Sequence, residues 1–250
     1  MIYIHVGLPK TGTTALQKHF FPRLKNSRYL GVSQPRGTAN SNIYKAFQIY
    51  SIGGMTYGDA ERTILKEVKD PSEKLVLSEE MFTVSSHGVT WVEKLERVAE
   101  LAKLFNDYKV IITTREPTEA SLSYYIECYN KLFKKNGITW PQAVRYSLDM
   151  KIYHYDYLLG ALQACFNTAR LIILQYADIF DKQKDPMSNI FQEEVRFINA
   201  KENITDKEPG AIFTKQGIRI QAPSENEINE VKVHLEDNSR FFREFMKRVS

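Results

Sequence analysis

Residues 2–17, IYIHVGLPKTGTTALQ, constrain this chain more than any other stretch. A short apolar run (Ile2, Tyr3, Ile4, Val6) leads through Gly7-Leu8-Pro9-Lys10-Thr11-Gly12 into a helix that the pattern starts near Thr13. A strand, a glycine-bounded turn and a helix N-terminus together make an anion site, because backbone N–H groups and the positive end of the helix dipole converge there. A phosphorylated ligand is expected. Gly7 and Gly12 keep the glycine interval of a Walker A loop, but in that motif the lysine follows the second glycine and reaches the β- and γ-phosphates. Here Thr13 and Thr14 follow Gly12, and the cation sits inside the loop at Lys10.

Downstream, segments of strand and helix periodicity alternate. Residues 74–78, 109–114 and 170–174 read as buried strands, and residues 60–69, 91–105, 118–134, 153–166 and 225–248 as helices. Residues 30–58, rich in Gly, Ser, Asn and Gln, read mostly as loop with a short helix at 43–50, and residues 178–185 as a polar connection. This order predicts an α/β fold with a central parallel sheet and helices on both faces. No linker or repeat divides the chain, so a single domain over 1–250 is expected. Ligands of such sheets bind beyond the carboxyl ends of the strands, which puts the Gly7 loop, Ser78-Glu79-Glu80 and Arg115 along one edge.

A hydrophobic content of 43% and a charged content of 26% suit a globule with a sizeable core. The net charge of +4, from 34 basic and 30 acidic residues, is spread along the chain, without the concentrated basic stripe of a nucleic-acid binder. It suits a few cations placed around a small polyanion. Cys128 and Cys165 lie far apart, with no His/Cys spacing for a metal, so no metal site is expected. No apolar run approaches the roughly 20 residues of a membrane span, and no basic segment followed by an apolar one opens the chain. It reads as cytoplasmic.

Pro9-Lys10-Thr11-Gly12-Thr13-Thr14 resembles, at every position, the loop P-K-[ST]-G-T-[ST] with which sulfotransferases hold the 5′-phosphosulfate of 3′-phosphoadenosine 5′-phosphosulfate (PAPS). Residues 110–125, VIITTREPTEASLSYY, resemble the family's 3′-phosphate element R-[ND]-P-x(5)-S-x-Y. Arg115, Pro117 and Ser123 fall at its offsets, and Glu116 departs from the usual Asn or Asp. An arginine leaving a strand and a serine on the next helix can grip a phosphate by a forked contact and a hydroxyl hydrogen bond.

The resemblance implies a P-loop-like sulfotransferase fold and transfer of a sulfuryl group by in-line displacement, with no metal. Pro9, Lys10, Thr11, Gly12, Thr13, Thr14, Arg115 and Ser123 would bind PAPS. Lys10 would stabilise charge on the leaving phosphate. The backbone amides of Thr11 to Thr14 and the hydroxyls of Thr13 and Thr14 would hold phosphate and sulfonate oxygens. The acceptor, a hydroxyl or amine on a small molecule, carbohydrate or glycolipid, needs a base within hydrogen-bond reach. Glu79 and Glu80 at a strand end are the candidates, with His87 as the alternative.

Other residues read more plainly. His5 is expected to be a hydrogen-bonded structural group, the tyrosines at 124, 125, 129, 153, 155 and 157 mostly core packing, and Lys131, Lys134 and Lys135 a solvated helix end. Gln175-Tyr176-Ala177-Asp178 resembles the family's strand ending in Y-E-D. Lys215-Gln216-Gly217-Ile218-Arg219 faintly resembles its late basic-glycine loop. Two competing functions are a P-loop kinase or NTPase, with residues 75–79 as a Walker B strand, and a nucleotide-binding module without transfer.

Overall fold

Apolar runs become strands and amphipathic segments become helices in the computed structural model, which describes residues 1–33, 38–39, 41–181, 184–195, 207–208, 211–214 and 217–249. Lys215 and Gln216, and parts of the segments 30–58 and 199–221, lie outside the described residues. The chain opens with β1 (Ile2–His5), α1 (Thr13–His19), β2 (Arg28–Tyr29), β3 (Val32–Ser33), β4 (Thr38–Ala39), α2 (Asn42–Ser51), α3 (Tyr57–Glu67), β5 (Leu75–Ser78) and α4 (Trp91–Ala102). It continues through β6 (Tyr108–Thr114), α5 (Pro117–Cys128), α6 (Trp140–Tyr146), α7 (Tyr155–Cys165), β7 (Leu171–Gln175), α8 (Tyr176–Ile179) and α9 (Pro186–Phe191). Three short strands, β8 (Lys207–Glu208), β9 (Ala211–Phe213) and β10 (Arg219–Gln221), precede α10 (Glu225–Asp237) and α11 (Arg240–Val249).

Two compact units result, Met1–Thr114 with Leu162–Ala200 and Arg115–Ala161 with Lys201–Ser250. The first holds a five-stranded sheet of order β2-β5-β1-β6-β7, and every neighbouring pair in it is parallel. Side chains alternate across each strand. One face presents Tyr3, Val76, Ile111 and Leu174 to Leu16, Phe20, Phe21, Leu24, Ile179, Met187 and Phe191. On the other face Ile2, Ile4, Leu75, Leu77, Val110 and Ile112 are equally buried. Strands covered on both sides read as continuous apolar runs, which is why the sequence marks them so clearly. Phe21 is central to the first face, with ring centroids 5.1 Å from His5, 5.8 Å from Phe20, 5.9 Å from Tyr29 and 6.1 Å from Phe191.

In the second unit α5, α6 and α10 pack together around Tyr124, Tyr153, Trp140, Val144 and Leu235. The helix expected over 225–248 is two helices here. Asn238 ends α10 and its carbonyl accepts the Asp156 amide, while the Asp156 carboxylate accepts the Phe242 amide at 2.7 Å. Ser239 donates back to the Leu235 carbonyl at 2.7 Å, the local side-chain competition by which Asn and Ser interrupt helices. The helix expected over 118–134 also changes pitch: after Cys128 it passes through a π turn, Tyr129–Phe133, and a 3₁₀ turn, Lys134–Asn136, to Gly137 at φ 61°. Residues 178–185 are partly helical through α8, and α6 starts on a Trp-Pro pair that the sequence pattern leaves unassigned.

Replacing Phe21 with Ala should cost about 3–5 kcal/mol of unfolding free energy in urea titration, since the ring touches both the sheet and its helical cover. A loss below about 1 kcal/mol would show that the core is organised elsewhere.

Candidate functional site

β1 lies between β5 and β6, and His5 pairs with Ser78 on one side and Ile111 on the other. From there the chain turns through three left-handed residues, Gly7 (φ 51°), Lys10 (φ 68°) and Gly12 (φ 85°), before α1 begins. A β-carbon on Gly12 would run into the rings of Tyr176 and Phe180, which pack on each other with centroids 4.5 Å apart. On Gly7 it would strike the Thr13 methyl. Lys10 has no such licence, and the left-handed region costs an L-residue roughly 1–2 kcal/mol.

Side-chain bonds hold the turn. Thr11 Oγ1 donates to the Leu8 carbonyl at 2.7 Å, accepts the Leu8 amide at 3.3 Å and lies 2.6 Å from Thr113 Oγ1 on β6. Thr83 Oγ1 lies 2.9 Å from the Glu80 carbonyl and 3.2 Å from the Gly7 carbonyl and shares its one proton between them. Gly12 is the N-cap of α1; it brings no capping side chain, and the first turn carries no acidic residue. Ser41, Thr56, Thr90, Glu116 and Ser224 cap their helices with a side-chain oxygen. The amide donors of Thr13 and Thr14 are therefore not spent on an N-cap side chain, and Lys10 stands half-buried beside them in sequence.

The two carboxylates after β5 take different surroundings. Glu79 is fully buried; it accepts the Tyr44 hydroxyl from α2 and the Met81 amide, the latter at 2.9 Å. Glu80 is half-buried and accepts the hydroxyl of Thr13 in the loop. His87 sits exposed at the tip of a hairpin turn between Ser86 and Val89, at φ 56°. Lys94, buried on α4, pins this segment with Nζ donating to the carbonyls of Met81 (3.2 Å) and Val84 (2.6 Å) and to Ser86 Oγ (2.6 Å).

Arg115 follows β6 and belongs to the second unit, as does Ser123. Its backbone is clamped by Tyr155, whose hydroxyl donates to the Arg115 carbonyl and accepts the Arg115 amide at 3.2 Å. Burial pushes the Tyr155 phenol well up, so it stays protonated and keeps donating. The guanidinium pairs with Glu119 at 2.9 Å. Glu116, the departure from the family pattern, accepts the amides of Thr118 (3.0 Å) and Glu119 (2.7 Å) and so caps α5, as an Asn or Asp there would. Ser123 is half-buried one turn beyond Glu119 on the same helix face.

Thus the structure joins the 9–14 loop to Glu80 through Thr13, gives Glu79 to Tyr44 and leaves His87 at an exposed turn. Sequence reasoning missed Tyr44, Glu119 and Tyr155. Tyr44 lay in the short helix read at 43–50, which carried no sign of a partner, and Tyr155 among aromatics read as packing. The Arg115/Glu119 spacing of four was a usable signal.

The sequence model of the sulfotransferase domain matches residues 3–244. The chain belongs to the sulfotransferase domain family. Among solved structures, a sulfotransferase from Alicyclobacillus acidocaldarius is similar with a TM-score of 0.50 and 11% identity, over 83% of this chain and 86% of that one. The sulfotransferase domain from the curacin biosynthetic pathway gives 0.45 and 14%, over 77% and 72%. Mouse sulfotransferase SULT7A1, complexed with PAP, gives 0.41 and 12%, over 80% and 61%. No curated protein matches the chain. Among the described residues no helix is long and apolar enough to cross a membrane.

His5, fully buried at the root of the loop between β1 and α1, has its pKa pushed by burial down to about 3. The unfolded chain therefore takes up that proton first, and stability falls as pH drops from about 6.5 toward 3, by up to about 1.4 kcal/mol per pH unit. His154, lowered to about 4 by burial, adds a loss of the same sign. Urea unfolding at pH 7, 6 and 5 should show a decline that is shallower in His5→Asn, and an unchanged decline would mean that His5 is solvated or charged in the fold.

Proposed function

We propose that this chain transfers a sulfuryl group from PAPS to a hydroxyl or amine on a small-molecule or glycan acceptor, with both compact units acting as one domain. Family membership supports the chemistry, and the match from residue 3 to 244 runs through both units. The single observation that carries the reading is the bond from Thr13 of the loop to Glu80, which sets a carboxylate against the phosphate-binding turn. Bound PAPS supplies an activated sulfuryl group on a phosphate that leaves.

Each residue then has a defined task. The amides from Thr11 to Thr14, the Thr14 hydroxyl and Lys10 bind the 5′ end, and Pro9 and Gly12 set the turn that presents them. Lys10 stabilises the negative charge that grows on the departing phosphate, an interaction stronger in the transition state than before it. Glu80 takes the proton of the acceptor hydroxyl. Glu79, committed to Tyr44 and the Met81 amide, braces the strand end. Arg115 and Ser123 bind the 3′-phosphate, for which their spacing and the capping of α5 by Glu116 are the support. Arg115 gives up little in exchanging Glu119 for a phosphate, because an exposed pair at this spacing contributes only about 0.3–0.5 kcal/mol.

Transfer of labelled sulfate from PAPS to a panel of hydroxylated acceptors tests these assignments. Lys10→Ala should lower kcat by about 10²–10³-fold, far more than it weakens nucleotide binding. Glu80→Gln should lower kcat by about 10²–10⁴-fold. Glu79→Gln should lower the melting temperature and keep kcat. Full activity in Glu80→Gln with loss in Glu79→Gln would exchange the two roles.

A further inference from the structure

The carboxyl ends of the three central strands carry polar residues on one face: Ser78 on β5, His5 on β1 and Thr113 on β6. None of the three is exposed, nor is Thr11, and Gln17 is only 2% exposed. Their contacts form a line. Gln17 Nε2 lies 3.2 Å from Ser78 Oγ, Ser78 Oγ 2.8 Å from His5 Nδ1, His5 Nε2 3.5 Å from Thr113 Oγ1, and Thr113 Oγ1 2.6 Å from Thr11 Oγ1. Thr11 Oγ1 then meets the Leu8 carbonyl at 2.7 Å.

Proton counting fixes the direction of every link. A carbonyl only accepts, so the Thr11 proton goes to Leu8. Thr113 must therefore be the donor to Thr11, and its own proton is spent. The contact between Thr113 and His5, the longest in the line, can then be a hydrogen bond only if Nε2 carries the hydrogen. In a neutral imidazole this leaves Nδ1 as acceptor, so Ser78 donates to it and receives from the Gln17 amide. One assignment satisfies all six groups: reversing a single link leaves a donor unpaired in a dry interior, and reversing the whole line takes the Thr11 proton from the Leu8 carbonyl and needs the Gln17 amide turned about.

We infer that His5 is a positioning residue: as the neutral Nε2–H tautomer it orients Thr113, and through Thr113 the Thr11 hydroxyl that holds the phosphate loop in its left-handed turn. Burial alone keeps the ring neutral over the working pH range. The Thr11 side chain is thus an internal brace, and only the backbone of Thr11 is left to meet a ligand. The effect on nucleotide affinity rests on the cofactor reading above; the tautomer and the state of the loop do not.

The test uses the full chain in two arms. Long-range ¹H–¹⁵N spectra of the imidazoles should show His5 as Nε2–H, and amide exchange should show Leu8, whose N–H donates to Thr11 Oγ1, protected. His5→Gln places an amide N–H near the Nε2 position and should keep Leu8 protection and affinity for 3′-phosphoadenosine 5′-phosphate within about threefold of the parent. His5→Asn keeps only the acceptor near Nδ1; it should speed Leu8 exchange and weaken nucleotide binding about tenfold or more. Thr113→Val should do the same, and the double variant should lose no more than either single one. An Nδ1–H tautomer, or equal behaviour of the Gln and Asn variants in Leu8 exchange, would overturn the inference. A parent chain that fails to bind the nucleotide would overturn the cofactor reading instead, leaving tautomer and exchange to decide this one; should His5→Asn fail to fold, Thr113→Val carries the comparison.

Discussion

Everything at the candidate site depends on how the chain gets from a fully buried strand to a helix between Val6 and Thr13. Three left-handed residues make that turn, one of them a lysine, and such backbone persists only where its surroundings over-determine it. They do so here through a hydroxyl whose bonds all point inward: Thr11 reaches Leu8 within the loop and Thr113 on the neighbouring strand. Thr83 fastens Gly7 from one side, and the Tyr176 and Phe180 rings close against Gly12 from another. The strain at Lys10 is the cost of bringing a cation inside the loop rather than behind it.

The same economy separates two adjacent glutamates. A short 3₁₀ turn follows Glu79, and its side chain accepts the Met81 amide at the start of that turn. The chain direction changes at that point, so Glu80 comes off toward the loop while Glu79 points into the core and meets Tyr44. Lys94 then ties the segment beyond, a buried cation satisfied by two carbonyls and a hydroxyl, so that Glu80 is carried on a fixed support.

The sheet, the loop and the helices with clean periodicity were legible because each is fixed locally. Continuous apolar runs mark strands buried on two faces, and Thr90 with Glu93 marks the start of α4 by a capping box. Glu116 departs from the Asn or Asp of the pattern that residues 115–125 resemble, yet capping needs only an oxygen two or three residues before the amides, which Glu also provides. What could not be read was set by contacts distant in sequence. β2 is two residues long and exists because it pairs with β5; the break at Asn238 is fixed by Asp156; the split between Glu79 and Glu80 depends on Tyr44 and Thr13. His5 was expected to be structural, and that expectation needed the register of three strands before it could become a direction of hydrogen bonds.

The central claim is that this fold recognises an adenosine nucleotide by phosphates at both ends. Calorimetric titration with 3′-phosphoadenosine 5′-phosphate and with ADP, each with and without Mg²⁺, tests it most directly. The account predicts that the 3′-phosphorylated nucleotide binds at least about tenfold tighter, a difference of about 1.4 kcal/mol, and that Mg²⁺ leaves the preference unchanged. Tighter binding of ADP, or binding that appears only with Mg²⁺, would contradict it and point to a nucleoside-triphosphate enzyme.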